Sequence, residues 1–559
     1  MNRSDSRGAQ LLLIAFLGMR WETRTLPKLV PGEAGILSVF RRAEATIWGG
    51  PPFPSIHLGV ETASARGPSG GAGEPIDEVI EDDSFAPKAP PRSPRSEPTP
   101  STFYARGVTR ATLFLNGNGE GSGTPLDRYE TRTFLFVGAK SSAQEKNAWR
   151  IELRSDLLGR SLANPSSDNS QAWDLEARPW EAWWRAHPSE TTRLKLGFQS
   201  INWGVLDVGA ASDVFASFDL RLGPALTPAE VRMPVPAAVV SWSPSSRVDV
   251  ELAALPFFTP HRFDLTGTRY AALSPQTLGP LAQAFDRGTL TRITDGIARA
   301  NGIDARPDHG ELGLRITVHL ARIDLAVTAA APRNRFPSYR VSEAFEAVLR
   351  NPTAPALFRM QQELDAGIQP IAANYARYMQ FAVDAQGSWG SVPWGAELGL
   401  SSRRELVSST PLSSAPAPRA HVFQGGLRAS KVWGDLTVAG QAAVYTLLNS
   451  SSDGGSVVIT PILFGDRRTT ALAVASLRYE LRAFFFEASA LGLCGGPELA
   501  SSPCASTTIL ATGRAGYGTD DFSVSLGGTG IRSSNGKDLP LNAAIDQLVL
   551  RLDFTPPGR

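Results

Sequence analysis

Three neighbouring stretches of this chain obey one rule. Arg150-Ile151-Glu152-Leu153-Arg154, Trp173-Asp174-Leu175-Glu176-Ala177-Arg178 and Arg193-Leu194-Lys195-Leu196-Gly197-Phe198 each alternate polar or ionisable with apolar side chains. Side chains on a β-strand point to opposite faces with a period of two. Each stretch is therefore a ribbon with one charged face and one apolar face. The water-facing side of a soluble sandwich usually carries Ser, Thr and Lys. Here Arg, Glu and Asp recur on one face, strand after strand, with Leu, Val, Ile, Phe and Trp on the other. A barrel with lipid outside and a wet lumen inside produces that distribution.

The same alternation marks eighteen strands, near 103–115, 130–139, 148–157, 172–185, 192–200, 235–242, 247–254, 311–319 and 321–329, and then near 375–385, 394–402, 421–430, 434–445, 471–480, 483–492, 508–516, 521–528 and 546–554. The connectors between them alternate long and short. Leu255 to Gly310 is long and Leu320 stands alone; Arg403 to Ala420 is long and Lys431 to Trp433 short; Thr446 to Thr470 is long and Leu481-Arg482 short. Outer-membrane barrels show this asymmetry, with tight periplasmic turns and extended outer loops. A soluble sandwich has no reason to place every long loop at one end. The expected fold class is all-β, a transmembrane antiparallel β-barrel of about 18 strands, with 16–18 as the range. In two outer loops, Leu281, Phe285, Ile293 and Ile297, and then Phe345, Val348 and Leu349, sit at helical spacing and predict short packed helices.

Composition narrows the alternatives. The chain has 559 residues and a formal net charge of +1, with 19% charged residues, so no electrostatic case exists for nucleic acid as a partner. No run of eighteen apolar residues occurs, and mean hydropathy is −0.12, which excludes α-helical membrane spans. A strand crosses with about ten residues, half of them polar, so a barrel is compatible with this hydropathy. The two cysteines, Cys494 and Cys504, lie close together in a Gly/Pro/Ser-rich segment. A disulfide closing that small loop is expected, implying an oxidising compartment; two free thiols are the alternative.

Ahead of the barrel, residues 1–65 read as a leader. Arg3 and Arg7 precede Leu11 to Met19, with the charge and length of a signal-peptide core. Residues 66–102 are Gly-rich, then acidic, then Pro-rich, a composition expected to remain a disordered linker. The barrel is expected over 103–554, followed by a tail at 555–559.

The expected lumen face gathers Arg150, Glu152, Arg154, Asp156, Asp174, Glu176, Arg178, Arg193 and Lys195, then Arg247, Asp249, Glu251, Glu311, Arg315, Arg322 and Asp324, then Arg428, Arg478, Glu480, Arg482 and Arg551. Mixed signs allow neighbouring strands to pair them across the ladder. A salt-bridged wall and a selective pore lining are both consistent with the set. Trp180, Trp183 and Trp184, together with Trp389 and Trp394, are expected in an interfacial girdle. Catalysis finds little support. None of His57, His187, His261, His309, His319 and His421 falls in a metal-binding spacing, and no nucleophile motif marks a partner for His319. No cofactor or metal is expected.

One stretch adds a resemblance. Gly197-Phe198-Gln199-Ser200-Ile201-Asn202-Trp203-Gly204-Val205-Leu206-Asp207 resembles the strand-to-loop signature of a porin-like group of Gram-negative outer-membrane channel barrels. Leu548 to Phe554 resembles the C-terminal strand signal read by the barrel assembly machinery. In such porins the third outer loop folds inward and narrows the pore, so the resemblance implies Trp203, Asp207 and Asp213 as constriction residues. Pattern and resemblance together lead to an exported bacterial outer-membrane barrel, not an enzyme, passing small solutes passively. The implied partners are outer-membrane lipid, the assembly machinery, the solute and, in some such barrels, further copies of the chain. An outer-membrane enzyme on the same fold, or a structural or adhesive barrel with a blocked lumen, are the rival readings.

Overall fold

By its internal contacts the chain divides into Met1–Arg95 and Ser96–Arg559. The computed structural model describes residues 102–115, 126–141, 147–162, 171–220, 231–262, 309–408, 419–448, 457–458, 469–496, 506–519, 522–533 and 544–554. The expected leader, linker and tail lie outside the described residues, as does the helical pattern at Leu281 to Ile297.

The strands run in order as β1 (Thr102–Leu115), β2 (Leu126–Lys140), β3 (Asn147–Leu162), β4 (Gln171–Ser189), β5 (Thr192–Gln199), β6 (Ser217–Phe218), β7 (Arg232–Met233) and β8 (Val235–Ser245). They continue as β9 (Val248–Leu255), β10 (Glu311–His319), β11 (Ile323–Ala331), β12 (Ser338–Val341), β13 (Ile371–Asn374), β14 (Met379–Trp389), β15 (Val392–Glu405) and β16 (Val407–Ser408). The last are β17 (Arg419–Trp433), β18 (Leu436–Leu448), β19 (Val457–Val458), β20 (Thr469–Leu481), β21 (Phe484–Gly496), β22 (Ser506–Gly518), β23 (Phe522–Ser533) and β24 (Ala544–Phe554). Eighteen of them form one sheet. Each long strand pairs antiparallel with the next, and β24 pairs with β1, Gly107 opposite Phe554, so the sheet closes. Closure gives every strand two neighbours and leaves no unpaired edge, the condition for a sheet to stand in hydrocarbon.

The protein is a closed 18-stranded antiparallel barrel, and its faces are inverted relative to a soluble protein. Along β10, Leu312, Leu314, Ile316 and Val318 are exposed, while Glu311, Arg315 and Thr317 are buried. On β14, Phe381 and Val383 face out and Gln380 and Asp384 face in; on β3, Ile151 and Leu153 face out and Glu152, Arg154 and Asp156 face in. An outer surface of contiguous Leu, Val and Phe is stable only against acyl chains, since water would leave that area unsatisfied. Val383 sits in mid-strand between Val327 and Leu398. Val383→Arg is expected to destabilise the lipid-embedded barrel by about 2–4 kcal/mol, read from denaturant unfolding in liposomes.

The short turns, such as Glu190-Thr191 and Gly434-Asp435, lie at one end, and the long connectors lie at the other. Gly434 has φ +59, which a two-residue hairpin turn needs to match strand twist. Near the short-turn end, Trp242, Trp389, Trp433, Tyr479, Phe484 and Phe554 are exposed on the outside, a belt of amphipathic rings.

The expected girdle at Trp180, Trp183 and Trp184 is corrected by a bulge. Ile151 pairs with Ala182 but Leu153 with Pro179, so Trp180 and Glu181 together stand opposite Glu152, one residue more on β4 than on β3. Such an irregularity resets which face each side chain takes. Trp180 is buried inside, edge-to-face with Phe136, and Trp183 lies under the Lys195 ammonium. Trp184, in register with Trp149 and Leu196, is the one of the three left on the outer face.

At the long-loop end, β12 and β13 pair beside two helices, α1 (Glu343–Arg350) and α2 (Ala354–Asp365). The Ser342 hydroxyl caps α1 by accepting from the Phe345 N–H, and Phe345, Val348 and Met360 form their own small core. Cys494 lies within β21 rather than in the following loop, and it is disulfide-bonded. The other cysteine of the sequence, Cys504, is outside the described residues.

Candidate functional site

Between β5 and β6 the chain does not cross over the barrel rim. Residues 201–219 fold inward as a finger against the inner wall, with Trp203, Val205, Leu206, Ser212, Val214 and Phe215 all buried. A segment without regular structure must still satisfy its buried N–H and C=O groups. The wall supplies the partners. The Val205 N–H donates to Glu397 at 3.2 Å, and the Ser212 hydroxyl donates to the same carboxylate at 2.5 Å, joined by the Ser212 N–H. Gln441 accepts from the Asp207 and Val208 N–H groups at 2.9 and 3.4 Å and donates back to the Val208 carbonyl. Gln380 donates to the Ala211 carbonyl at 2.9 Å. Glu397, Gln441 and Gln380 thus act as a side-chain ladder for the finger's backbone.

Apolar contacts hold the finger from the other side. Val205 and Leu206 pack with Leu406, Ala420, Val422, Ala443, Tyr445 and Leu447; Ile201, Trp203, Val214 and Phe215 pack with Val235, Ala237, Val239, Ala253 and Leu255. The two limbs meet where the Trp203 and Phe215 rings stack edge-to-face at 5.1 Å. Gly209 makes the tip, with φ +73, and a Cβ there would collide with the Tyr445 hydroxyl. Only glycine meets both demands.

At its base the finger is tied by charge. Arg232 holds Asp213 through two bonds of 3.1 and 2.6 Å, and Arg335 donates to the Phe215 carbonyl at 3.3 Å. The His261 Nδ1 accepts from the Phe218 N–H at 3.0 Å, between the Phe218 and Phe336 rings. Burial, then the Arg335 and Arg404 guanidinium groups, hold His261 well below the usual imidazole range. It is therefore neutral at pH 7, as an accepting Nδ1 requires. Because the folded state binds this proton less readily than the unfolded chain, the contribution is complete above about pH 6.5 and declines as pH falls below it. Stability should drop between pH 7 and 5, and His261→Gln should flatten that slope in unfolding midpoints.

The inner wall of β1–β4 is closely packed. Arg106, Arg132, Arg154 and Arg178 interleave with Phe134, Phe136 and Trp180, Arg154 lying 4.0 Å from the Phe134 centroid and 4.4 Å from that of Trp180. Arg132 pairs with Asp156 at 2.5 Å, Arg178 with Asp219 at 3.2 Å, and Arg150 with Glu152 and Glu181 at 2.7 and 3.0 Å. The wall of β20–β24 is different. Two of its ion pairs, Arg478–Glu480 and Arg514–Glu487, both at 2.5 Å, are half-buried, with every side chain at least 24% exposed; Arg551–Asp553 at 2.8 Å is less exposed.

The structure places most of the charged residues named from the sequence on the inner face of the sheet. Glu176 pairs with Arg262 at 2.7 Å, and Glu311 with Arg335 at 2.8 Å. Arg193 and Lys195 share the inner face of β5 with the buried Gln199. Glu251 accepts from the Trp203 indole N–H. Asp249 and Asp324 flank His319 at 2.8 and 2.9 Å, a polar buttress near the short-turn mouth. Arg247, Arg322 and Arg482 instead stand exposed in short turns. Each turn takes up a residue that the pattern had assigned to a strand or left at its edge. The side chain of Asp174 lies outside the described set. Trp203, Asp207 and Asp213 all lie on the finger. Asp207 projects from it to pair with Arg428 at 2.9 Å.

The residues that anchor the finger were not singled out by sequence. Asp384 and Glu397 are lone acids in Phe381-Ala382-Val383-Asp384-Ala385 and Gly395-Ala396-Glu397-Leu398-Gly399. They face each other in register on β14 and β15. Arg315 spans to Asp384 through bonds of 2.9 and 2.8 Å. The available signal was an isolated carboxylate on the lumen-facing phase of an otherwise apolar strand.

Inverted faces, a closed sheet and an infolded finger define a membrane-spanning β-barrel with a polar, charge-lined interior. The chain belongs to the family described as "Protein of unknown function (DUF1302)", whose profile matches residues 115–455. No curated protein matches it. Among solved structures, a BenF-like porin from Pseudomonas fluorescens Pf-5 is 9% identical with a TM-score of 0.44, covering 81% of this chain and 98% of its own. Acinetobacter baumannii OccAB1 is 7% identical with a TM-score of 0.45, covering 81% and 96%. Pseudomonas aeruginosa OccK2 (OpdF), solved with glucuronate, is 11% identical with a TM-score of 0.43, covering 81% and 97%. Likenesses this slight do not bear on function.

Proposed function

We propose that the protein is a passive channel for small solutes in the bacterial outer membrane, narrowed by its finger at Trp203, Asp207 and Asp213. The observation that supports this most is the pair of half-buried ion pairs on β20–β22, Arg478–Glu480 and Arg514–Glu487, enclosed by a barrel whose outside suits only lipid. Ionised groups that stay half-hydrated inside such a wall need a continuous water-filled space. In this reading the long connectors face outside the cell and the short turns face the periplasm. The packed wall of β1–β4 keeps the barrel round, while solute moves along the opposite side.

Purified, folded protein in a planar lipid bilayer tests the reading. Discrete, ohmic conductance steps are expected in potassium chloride. A barrel that shows heat-modifiable migration on gels yet passes no current would refute the channel and favour a blocked, structural barrel.

A further inference from the structure

The inner face of β18, β20, β21 and β22 is layered along the barrel axis. Next to the Thr470 row at the long-loop end lie Leu472 and Leu493, in register, followed by Val474, Leu491 and Leu510 in one row. The next inward row is Ser476, Ser489 and Thr512, and the one after it is Arg478, Glu487 and Arg514. Successive inward positions are two residues apart, so the rows are separated by about 7 Å.

The apolar row continues the stripe on which the finger lies, but it extends past the finger. Ala443, Tyr445 and Leu447 on β18 are buried beneath Val205 and Leu206. Beyond them Val474, Leu491 and Leu510 are only half-buried, with side chains directed into the lumen. A lumen that served hydrated solutes alone would gain nothing from methyl groups at that level, since water wets them poorly.

We propose that this layering makes the channel selective for amphipathic organic solutes, each with a compact apolar body and one polar head. The proposal rests on the channel reading above and deepens it. The body lies on Val474, Leu491 and Leu510, and the head reaches the hydroxyl row about 7 Å further in, within range of the Arg478 and Arg514 guanidinium groups. Transfer of the body from water onto these side chains provides the attraction. A sugar of equal size has no such gain, because its surface is already solvated.

The probes are ethanesulfonate and hexanesulfonate, which share one permanently ionised head and differ only in apolar length. Each is added to the full-length protein conducting potassium chloride in a planar bilayer. Half-burial of four extra methylenes predicts that hexanesulfonate interrupts the current at about tenfold lower concentration. Val474→Thr and Leu491→Asn keep side-chain volume while making the row polar. Both should reduce the discrimination to about twofold or less, each block being read relative to that variant's own open current. Heat-modifiable migration verifies that each variant is folded, and either variant alone suffices. Equal block by the two sulfonates, or discrimination that survives in folded variants, overturns the amphipathic preference and leaves the channel standing. No conductance at all overturns the channel, and this proposal with it.

Discussion

Replacing Glu397 by alanine should raise single-channel conductance severalfold and make the open current noisy. Glu397 accepts from the Val205 N–H, the Ser212 N–H and the Ser212 hydroxyl, so one carboxylate holds both limbs of the finger. Hydrogen bonds to a charged group contribute about 1.5–3 kcal/mol each, and buried donors left without a partner add a further cost. Gln441, Gln380 and the apolar contacts remain, so the finger should fluctuate from the wall rather than leave it. Single-channel recording reads both the step size and the noise. An unchanged step from a folded Glu397→Ala barrel would show that the finger does not set the narrowest section.

The second large effect is on stability. Asp384→Ala leaves the Arg315 guanidinium buried without its bidentate partner. Breaking one side of a buried ion pair costs about 3–5 kcal/mol, because the remaining charge stays desolvated. Exchanging both residues, Arg315→Met with Asp384→Leu, removes the stranded charge and should recover most of that loss. Guanidinium unfolding in detergent micelles compares the three proteins. If the double variant is no more stable than Asp384→Ala, the pair does more than neutralise itself, and the bond from Arg315 to the Trp203 carbonyl is the next candidate.

The closing sheet was legible because its signal is local. A period of two along each strand, and alternating connector lengths, report directly on faces and ends. The expected strand at 311–319 coincides with β10, and the expected strand at 546–554 lies within β24. The place of the bulge was not legible: Pro179 and the unalternating Ala182-Trp183-Trp184 mark an irregularity in β4, but only β3 laid beside it puts two residues, Trp180 and Glu181, against Glu152.

The finger divides the same way. That Trp203, Asp207 and Asp213 act as one group was implied by the resemblance of Gly197 to Asp207 to the porin-like barrels. That they rest against Glu397 and Gln441, 185 to 234 residues away by the hydrogen bonds they share with their segment, was not. Alternating residues along the chain were enough to determine an inverted barrel, its strand order and its two unlike ends, for each depends on near neighbours and on which solvent a face prefers. Which lone acid meets which backbone amide, and where the apolar row runs past the finger, was decided only when the sheet closed, because closure alone brings distant strands to opposite sides of one enclosed space.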